Sequence, residues 1–401
     1  MKYSVIEVNS PQTISQFHKV VKIIYKKDKN YIQPLNETIE DIFRPEKNSF
    51  FSHGEAKRWI IKDQNNKLAG RVAAFINNNK AFATETPTGG MGFFECINDP
   101  KAAFLLFDTC KEWLSSKGMK AMDGPINFGE NDRFWGLLVE GFMPQSFGMS
   151  YNPPYYKNFF EDYGFTFYYE QITNHLDLTK PFPERFWRIA ERVNNNPKYR
   201  FEHFTFKNAE KFGKDFMEIY NDAWQFHENF TPITEKQVEK IIEDIKGIAV
   251  EEFIWFAYCG DEPIAFEFMI PDLNQVLKYF KGKINLWGKI KIALKGKKNL
   301  FTRTRIVIMG VKTKYQKSGI ESGIFWNMDK VMALKPKYKE IEISWVGDFN
   351  PKMRAIQEAV GSTFAKKHIT YRNYFDDDAE ITRSTIIPVD TRSSTLETTN
   401  N

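Results

Sequence analysis

The chain has 401 residues, enough for two domains with ample core, and its 42% hydrophobic and 16% aromatic content excludes a disordered or fibrous class. Three cysteines without C-x-x-C spacing exclude a disulfide framework, and the six histidines show no ligand spacing, so no metal is expected. No stretch approaches eighteen uninterrupted apolar residues and residues 1–10 lack an apolar leader core, so the expected location is cytoplasmic.

In chain order, residues 3–8 read as a strand and 12–27 as a helix. Trp59–Lys62 and Leu68–Ile76 read as a two-strand meander joined at Asp63-Gln-Asn-Asn, and Gly92–Ile97 as a further strand. Asn98-Asp99-Pro100 then caps a helix predicted over Lys101–Ser116 that stops at Gly118. Lys120–Phe128 reads as a fifth strand. The long polar and aromatic loop Gly124–Pro144 precedes an Asn152-initiated helix ending at Gly164-Phe165.

Residues 179–197, with Pro181, Pro183 and Asn194-Asn-Asn-Pro197, read as a linker holding one short helix. A strand near Phe201–Phe206, helices over Ala209–Trp224 and Glu235–Lys246, and strands near Phe253–Cys259 and Pro263–Ile270 follow. Lys278–Arg305 contains eight Lys, two Arg and no acid, a local charge of +10 against +5 for the whole chain. Leu286, Trp287, Ile290 and Leu294 share an arc of roughly 120° on a helical projection, with Lys289, Lys291 and Lys295 outside it. Such a basic amphipathic segment suits an anionic membrane surface, here the inner face of the cell membrane. An ordinary solvated helix, a nucleic-acid patch and a flexible insert broken by Gly282, Gly288 and Gly296 are the competing readings, with nucleic acid disfavoured.

Arg305–Val311 is β-branched and apolar, residues 312–319 are basic and polar, and Ile324, Phe325, Met328, Val331 and Met332 recur at near-helical spacing. Strand, tight loop and helix in that order leave unpaired N–H groups and the positive end of a helix dipole at the loop, a place for a diphosphate, with Lys314 and Lys317 adding positive charge.

Val311-Lys-Thr-Lys-Tyr315-Gln316-Lys317-Ser318-Gly319-Ile320 resembles the acyl-CoA loop of the GNAT acyltransferase superfamily. Thr313 stands where that pattern has Pro, and Glu321 where it has a small residue, so a carboxylate near the diphosphate is expected to repel it unless it points away. Glu340–Asn350 resembles the fifth GNAT strand and Pro351–Gly361 the helix after it. The first half repeats the order of elements, but its Cys96-Ile-Asn-Asp-Pro-Lys junction is acidic and lacks the loop.

The resemblance implies an α/β (α+β) fold of two GNAT-like domains, each a mixed, mostly antiparallel sheet flanked by helices. Its expected parts are a degenerate acceptor or structural domain (1–178), a linker (179–197), an acyl-CoA-binding domain (198–375) with the basic insert 278–305, and a disordered tail (376–401). Acetyl-CoA or a longer acyl-CoA is the implied co-substrate, held by Met309, Val311, Tyr315, Gln316, Lys317, Ser318, Gly319, Ile320 and Asn350. Asp348, Glu267, His227 and Glu228 are the proton-transfer candidates. Glu130, Asn131, Asp132, Tyr155 and Tyr156 are the acceptor-binding candidates, and Leu286, Trp287, Ile290 and Leu294 the membrane-facing ones.

The function so implied is acyl-CoA-dependent N-acyl transfer to a small-molecule or lipid amine. A soluble small-amine or peptide N-acetyltransferase, a tRNA-dependent aminoacyl or peptidyl transferase and a non-catalytic acyl-CoA-binding protein are the alternatives.

Overall fold

The computed structural model describes residues 2–82, 85–226, 230–295, 300–376, 378–379 and 381–384. Along the chain the elements are β1 (Tyr3–Glu7), α1 (Pro11–Ile24), α2 (Asn36–Ile42), β2 (Gly54–Asp63), β3 (Leu68–Asn77), α3 (Asn78–Ala81), β4 (Thr88–Cys96), α4 (Pro100–Ser116), β5 (Ala121–Gly124), β6 (Leu137–Glu140), α5 (Tyr156–Tyr163) and β7 (Thr166–Asp177). Then come α6 (Glu184–Asn194), β8 (Tyr199–His203), α7 (Ala209–Trp224), α8 (Glu235–Ile245), β9 (Ile254–Cys259), β10 (Glu262–Pro271), α9 (Asn274–Leu277), α10 (Leu286–Lys295), β11 (Arg303–Val311), α11 (Ile320–Ala333), β12 (Glu340–Glu342), β13 (Val346–Gly347), α12 (Pro351–Ala359) and β14 (Thr363–Tyr374).

Local chemistry sets many of these boundaries. Ser10 and Thr13 close a capping box on α1 with Pro11 in its first turn, and Asp99 caps α4 ahead of Pro100. Gly164 ends α5 in the left-handed region at φ 98°, as the sequence anticipates.

Two compact units result. The first comprises Met1–Ile172, Val276–Leu294 and Lys366–Arg383; the second comprises Thr173–Gln275, Lys295–Ala365 and Ser384–Asn401. In the first unit the strand order is β1-β2-β3-β4-β5-β14-β7, antiparallel except for β4 with β5, and β6 pairs β14. One face of that sheet packs on α4 and α5 through Trp59, Val72, Phe94, Leu106, Phe107 and Phe160. The other face packs on α1 and α2 through Phe17, Val20, Ile39 and Ile60.

In the second unit the order β12-β11-β10-β9-β8 is flanked by residues 173–177 of β7, and β11 with β12 is the parallel pair. Its sheet is covered on one face by α6 and α11 and on the other by α7 and α8.

The boundaries differ from expectation in four places. Val276–Leu294, which includes residues 278–294 of the basic insert, and Lys366–Arg383 belong to the first unit, although the sequence assigned residues 198–375 to the second domain and those after 375 to the tail. The helix within the expected linker, α6, buries Phe186, Ala190 and Val193 in the core of the second unit. The fifth strand stops at Gly124 because Ile126 N–H turns to donate to Met91 O at 2.8 Å. The stretch read as a disordered tail begins with packed residues: Thr382 N–H donates to the Tyr374 hydroxyl at 2.8 Å and the Arg383 guanidinium lies over the Phe167 ring. Residues 385–401 lie outside the described residues.

Candidate active site

The second unit carries the strand, loop and helix in which the cofactor candidates lie. The parallel ladder of β11 and β12 spans three registered pairs, Arg303↔Glu340, Thr304↔Ile341 and Arg305↔Glu342. Beyond them β11 runs on to Val311 paired only with β10 on its other side, so the edge toward β12 keeps backbone groups that an extended amide chain such as pantetheine can bond. Where the strands part, the fully buried Glu342 carboxylate is bonded by His175 Nε2 at 3.1 Å.

The loop at the end of β11 is tied down from its far side by acids. Lys312 Nζ reaches Glu218 and, at 3.2 Å, Glu262; Thr313 N–H donates to Asp222 at 2.6 Å, and the Tyr315 hydroxyl to Glu262 at 2.8 Å. Gln316 Nε2 donates to Val311 O and the Ser318 hydroxyl to Tyr315 O. Gly319, in the left-handed region at φ 73°, starts α11 at the positive end of its dipole, where Ile320 N–H donates to the Ser318 hydroxyl at 3.3 Å and Ser322 N–H to Gly319 O at 3.0 Å.

Glu321, in the first turn of α11, is buried, and burial pushes its carboxyl up to about 7. The repulsion expected from a carboxylate displayed beside a diphosphate is relieved by that inward placement.

The other cofactor-half candidates are spread out. Val311 and Ile320 are core residues, Met309 is half-buried opposite Glu267, and Asn350 is occupied in capping α12 by accepting from Met353 N–H. Asp348 is half-exposed just ahead of that cap. Glu267 alternates with Phe266 and Phe268 on β10 and faces the α6–α11 side between Ala265 and Met269. It is 0% exposed, neither of its oxygens has a hydrogen-bond partner, and burial pushes its carboxyl up to about 8. His227 and Glu228 lie outside the described residues.

In the first unit the equivalent cleft is filled by the chain itself. β4 and β5 pair in parallel over Thr88, Gly89 and Gly90, and beyond that the β4 edge is closed by Ile126 N–H on Met91 O. A Cβ on Gly92 would lie 1.8 Å from Ile126 O, so only glycine permits this closure. Cys96 at the end of β4 is bonded by two hydroxyls, with its N–H donating to Tyr156 at 2.7 Å and its carbonyl accepting from Tyr155 at 2.9 Å. At the start of α4, Asp99 accepts from Lys101 N–H and from the Tyr3 hydroxyl. Tyr155 and Tyr156 therefore brace the sheet. Glu130, Asn131 and Asp132 sit exposed on the surface, where Glu130 pairs with Lys80.

The α1 face of the first unit holds a polar cluster that the sequence reading passed over. Glu40 binds Arg58 through two bonds of 2.6 and 2.7 Å and His18 Nε2 at 2.6 Å. Burial raises the Glu40 carboxyl, but these partners outweigh it and hold the group at about 2. Beside it, Arg71 and Glu95 form a registered cross-strand pair of β3 and β4 with Nη2 and Oε1 3.7 Å apart. The Tyr156 hydroxyl donates to Glu95 Oε2 at 2.9 Å. Burial, opposed by Arg71 and by the Tyr25 and Tyr156 hydroxyls, pushes the Glu95 carboxyl up to about 7.

Of these groups, His18, Arg71, Glu95 and Tyr156 line a cavity of about 90 Å³ whose other walls include Phe93, Phe134 and Tyr151. The available signal was one charged residue inside each of two otherwise apolar strands, Arg71 and Glu95.

No family model matches the chain. It is 30% identical over 376 residues to the bacterial ceramide synthase of Caulobacter vibrioides, covering 92% of this chain and 96% of that protein. It is 25% identical over 362 residues to protein YghO of Escherichia coli, covering 87% and 89% respectively. Among solved structures, a tandem GNAT protein from the clavulanic acid biosynthesis pathway is similar in fold, with a TM-score of 0.56 at 10% identity over 94% of this chain and 100% of that one.

Proposed function

Because the chain belongs to the family of bacterial ceramide synthase, among the tandem GNAT N-acyltransferases, we propose that it moves the acyl group of an acyl-CoA onto the amine of a long-chain amino alcohol at an anionic membrane surface. The observation that carries the reading is the end-to-end match to a protein named for making an N-acylated lipid amine. In the reaction the neutral amine attacks the thioester carbonyl, the new C–N bond forms as the C–S bond breaks, the amine gives up a proton and the thiolate takes one.

The division of labour between the halves supports acyl-CoA as donor. The β11 edge, the positive-φ Gly319 and the α11 N-terminus fit pantetheine and diphosphate, whereas in the first unit the matching edge is closed by its own loop and tyrosines. Glu267, largely protonated at neutral pH, suits a proton donor better than a base.

Membrane docking rests on the basic segment. Leu286, Trp287 and Leu294 are 70%, 74% and 83% exposed, beside exposed Lys281, Lys283, Lys289 and Lys291. Exposed apolar side chains flanked by cations gain from an anionic interface on both counts. Among the described residues no helix is long and apolar enough to cross a bilayer.

The test is acyl transfer by the purified chain with acetyl-CoA and palmitoyl-CoA, offered sphinganine in anionic vesicles and, separately, short water-soluble amines, with products read by mass spectrometry. N-acylated sphinganine from palmitoyl-CoA is expected. Acetylation of the short amines alone would replace this reading with the soluble acetyltransferase.

A further inference from the structure

The cavity of the first unit lies on the sheet face toward α1, and nothing said so far of the reaction uses it. Its volume of about 90 Å³ has room for roughly six water-sized groups, the size of a 2-amino-1,3-diol head. The walls are mainly aromatic and apolar with a few convergent polar groups, the usual make-up of a small-molecule site.

Arg71 is the informative residue. It is 5% exposed, its guanidinium lies over the Phe17 ring and donates to Phe17 O, and its Nε has no partner. A buried donor left unpaired costs about 1–3 kcal/mol, so the Arg71 guanidinium keeps bonding capacity in the wall of this cavity. Glu95 lies 3.7 Å away in the same wall, so the two present a donor and an acceptor side by side to a small bifunctional head.

The rim gives the direction of the tail. Gln33, Pro34 and Asn36 line the cavity and are half-exposed. The turn leading into α10 rests on two of them: Gly282 O accepts from Asn36 N–H at 2.8 Å, and a Cβ on Gly282 would meet Gln33 Nε2 at 2.3 Å. The amphipathic segment therefore borders the cavity of its own unit, an arrangement the sequence, which placed the insert within the second domain, did not anticipate.

We propose that this cavity is the acceptor site: the head of the long-chain amine sits against Arg71 and Glu95, its hydroxyl accepting from the Arg71 guanidinium and its amine donating to Glu95, and the alkyl chain leaves past Gln33, Pro34 and Asn36 toward the exposed face of α10. The proposal rests on the lipid-amine reading above. Arg71 and Glu95 offset one another's charge, and Glu40 is already matched by Arg58. An amine entering as the free base adds no net charge to the buried cluster, and the free base is the form that attacks a thioester.

The test titrates the full chain, without acyl donor, with a water-soluble eight-carbon 2-amino-1,3-diol by calorimetry, and CoA in parallel. Binding of one equivalent is expected. Glu95→Gln removes the charged acceptor and Pro34→Trp narrows the rim without touching the polar pair. Each is expected to weaken the amino diol by at least about tenfold, Glu95→Gln through the loss of one charge-assisted bond and Pro34→Trp by obstructing the alkyl chain at the rim, and to leave CoA affinity unchanged. A wild-type chain that binds no amino diol, or two variants with native circular dichroism that bind it normally, overturns the assignment and leaves the cavity to water. If sphinganine is acylated but neither variant changes its KM, the cavity assignment falls and the lipid-amine reading stands. If only short amines are acylated, the lipid-amine reading falls, and the titration still decides the cavity.

Discussion

Glu267→Gln is expected to stabilise the protein, and by more as the pH rises. The native carboxyl is fully buried, has no hydrogen-bond partner, and is pushed by burial from its ordinary 4.5 to about 8. The folded state thus holds this proton more tightly than the unfolded state. The stability associated with the protonated form is complete below pH 4.5 and is lost progressively as pH rises to about 8. With about 1.4 kcal/mol per pH unit, ionisation of the carboxyl in the unfolded chain costs the fold about 1 kcal/mol at pH 5.5 and about 4 kcal/mol at pH 7.5, a loss of about 2–3 kcal/mol across that window. Glutamine has nearly the same shape and does not titrate, so its advantage over glutamate should grow by that amount. Urea denaturation followed by tryptophan fluorescence at the two pH values reads the difference directly. A variant whose stability relative to wild type is the same at both would refute the buried, neutral carboxyl, and turnover in the same variant tells a structural acid from a proton-transfer group.

Gly319→Asp should abolish most CoA binding while the fold survives. A Cβ there meets nothing closer than Ile189 at 3.4 Å and Asp tolerates the left-handed region, yet its charge falls where the diphosphate sits; calorimetry showing unchanged CoA affinity would contradict the loop assignment. Trp287→Ser with Leu294→Ser should weaken vesicle binding by about 3 kcal/mol if both exposed side chains enter the interface. Added salt should weaken it further by screening the lysines, and cosedimentation indifferent to both changes would leave the segment a solvated helix. Glu40→Ala should destabilise the first unit by about 3–5 kcal/mol, because Arg58 would remain buried without its two-bond partner; a melting temperature within a degree or two of wild type would show the charge finds another route to solvent.

Much of this protein was written locally. The 3.6 and 2.0 periodicities, Asp99-Pro100 ahead of α4, Gly164 after α5, Asn350-Pro351 ahead of α12 and the basic loop before α11 are short-range signals, and each element they announced is present. The same signals picked out the loop proposed here for the cofactor, because a strand, a positive-φ glycine and a helix N-terminus are consecutive in the chain. Composition alone likewise placed all the excess charge in Lys278–Arg305.

What only the tertiary structure decided depends on residues far apart in sequence. Whether Glu321 points at the diphosphate or into the core, and whether Asn350 is free or spent on a cap, are matters of side-chain direction that spacing leaves open. Tyr155 and Tyr156 read as acceptor contacts in the sequence; their hydroxyls bond Cys96, some sixty positions earlier, and Tyr156 also lines the cavity beside Glu95. The turn of the basic segment at Gly282 packs on Gln33 and Asn36, residues far upstream in the chain. Arg71 and Glu95 look like isolated charges in two apolar strands. Their meaning comes from the register that sets them opposite one another and from α1 covering them, and such pairings are fixed by which faces bury together, a non-local condition that no window of sequence contains.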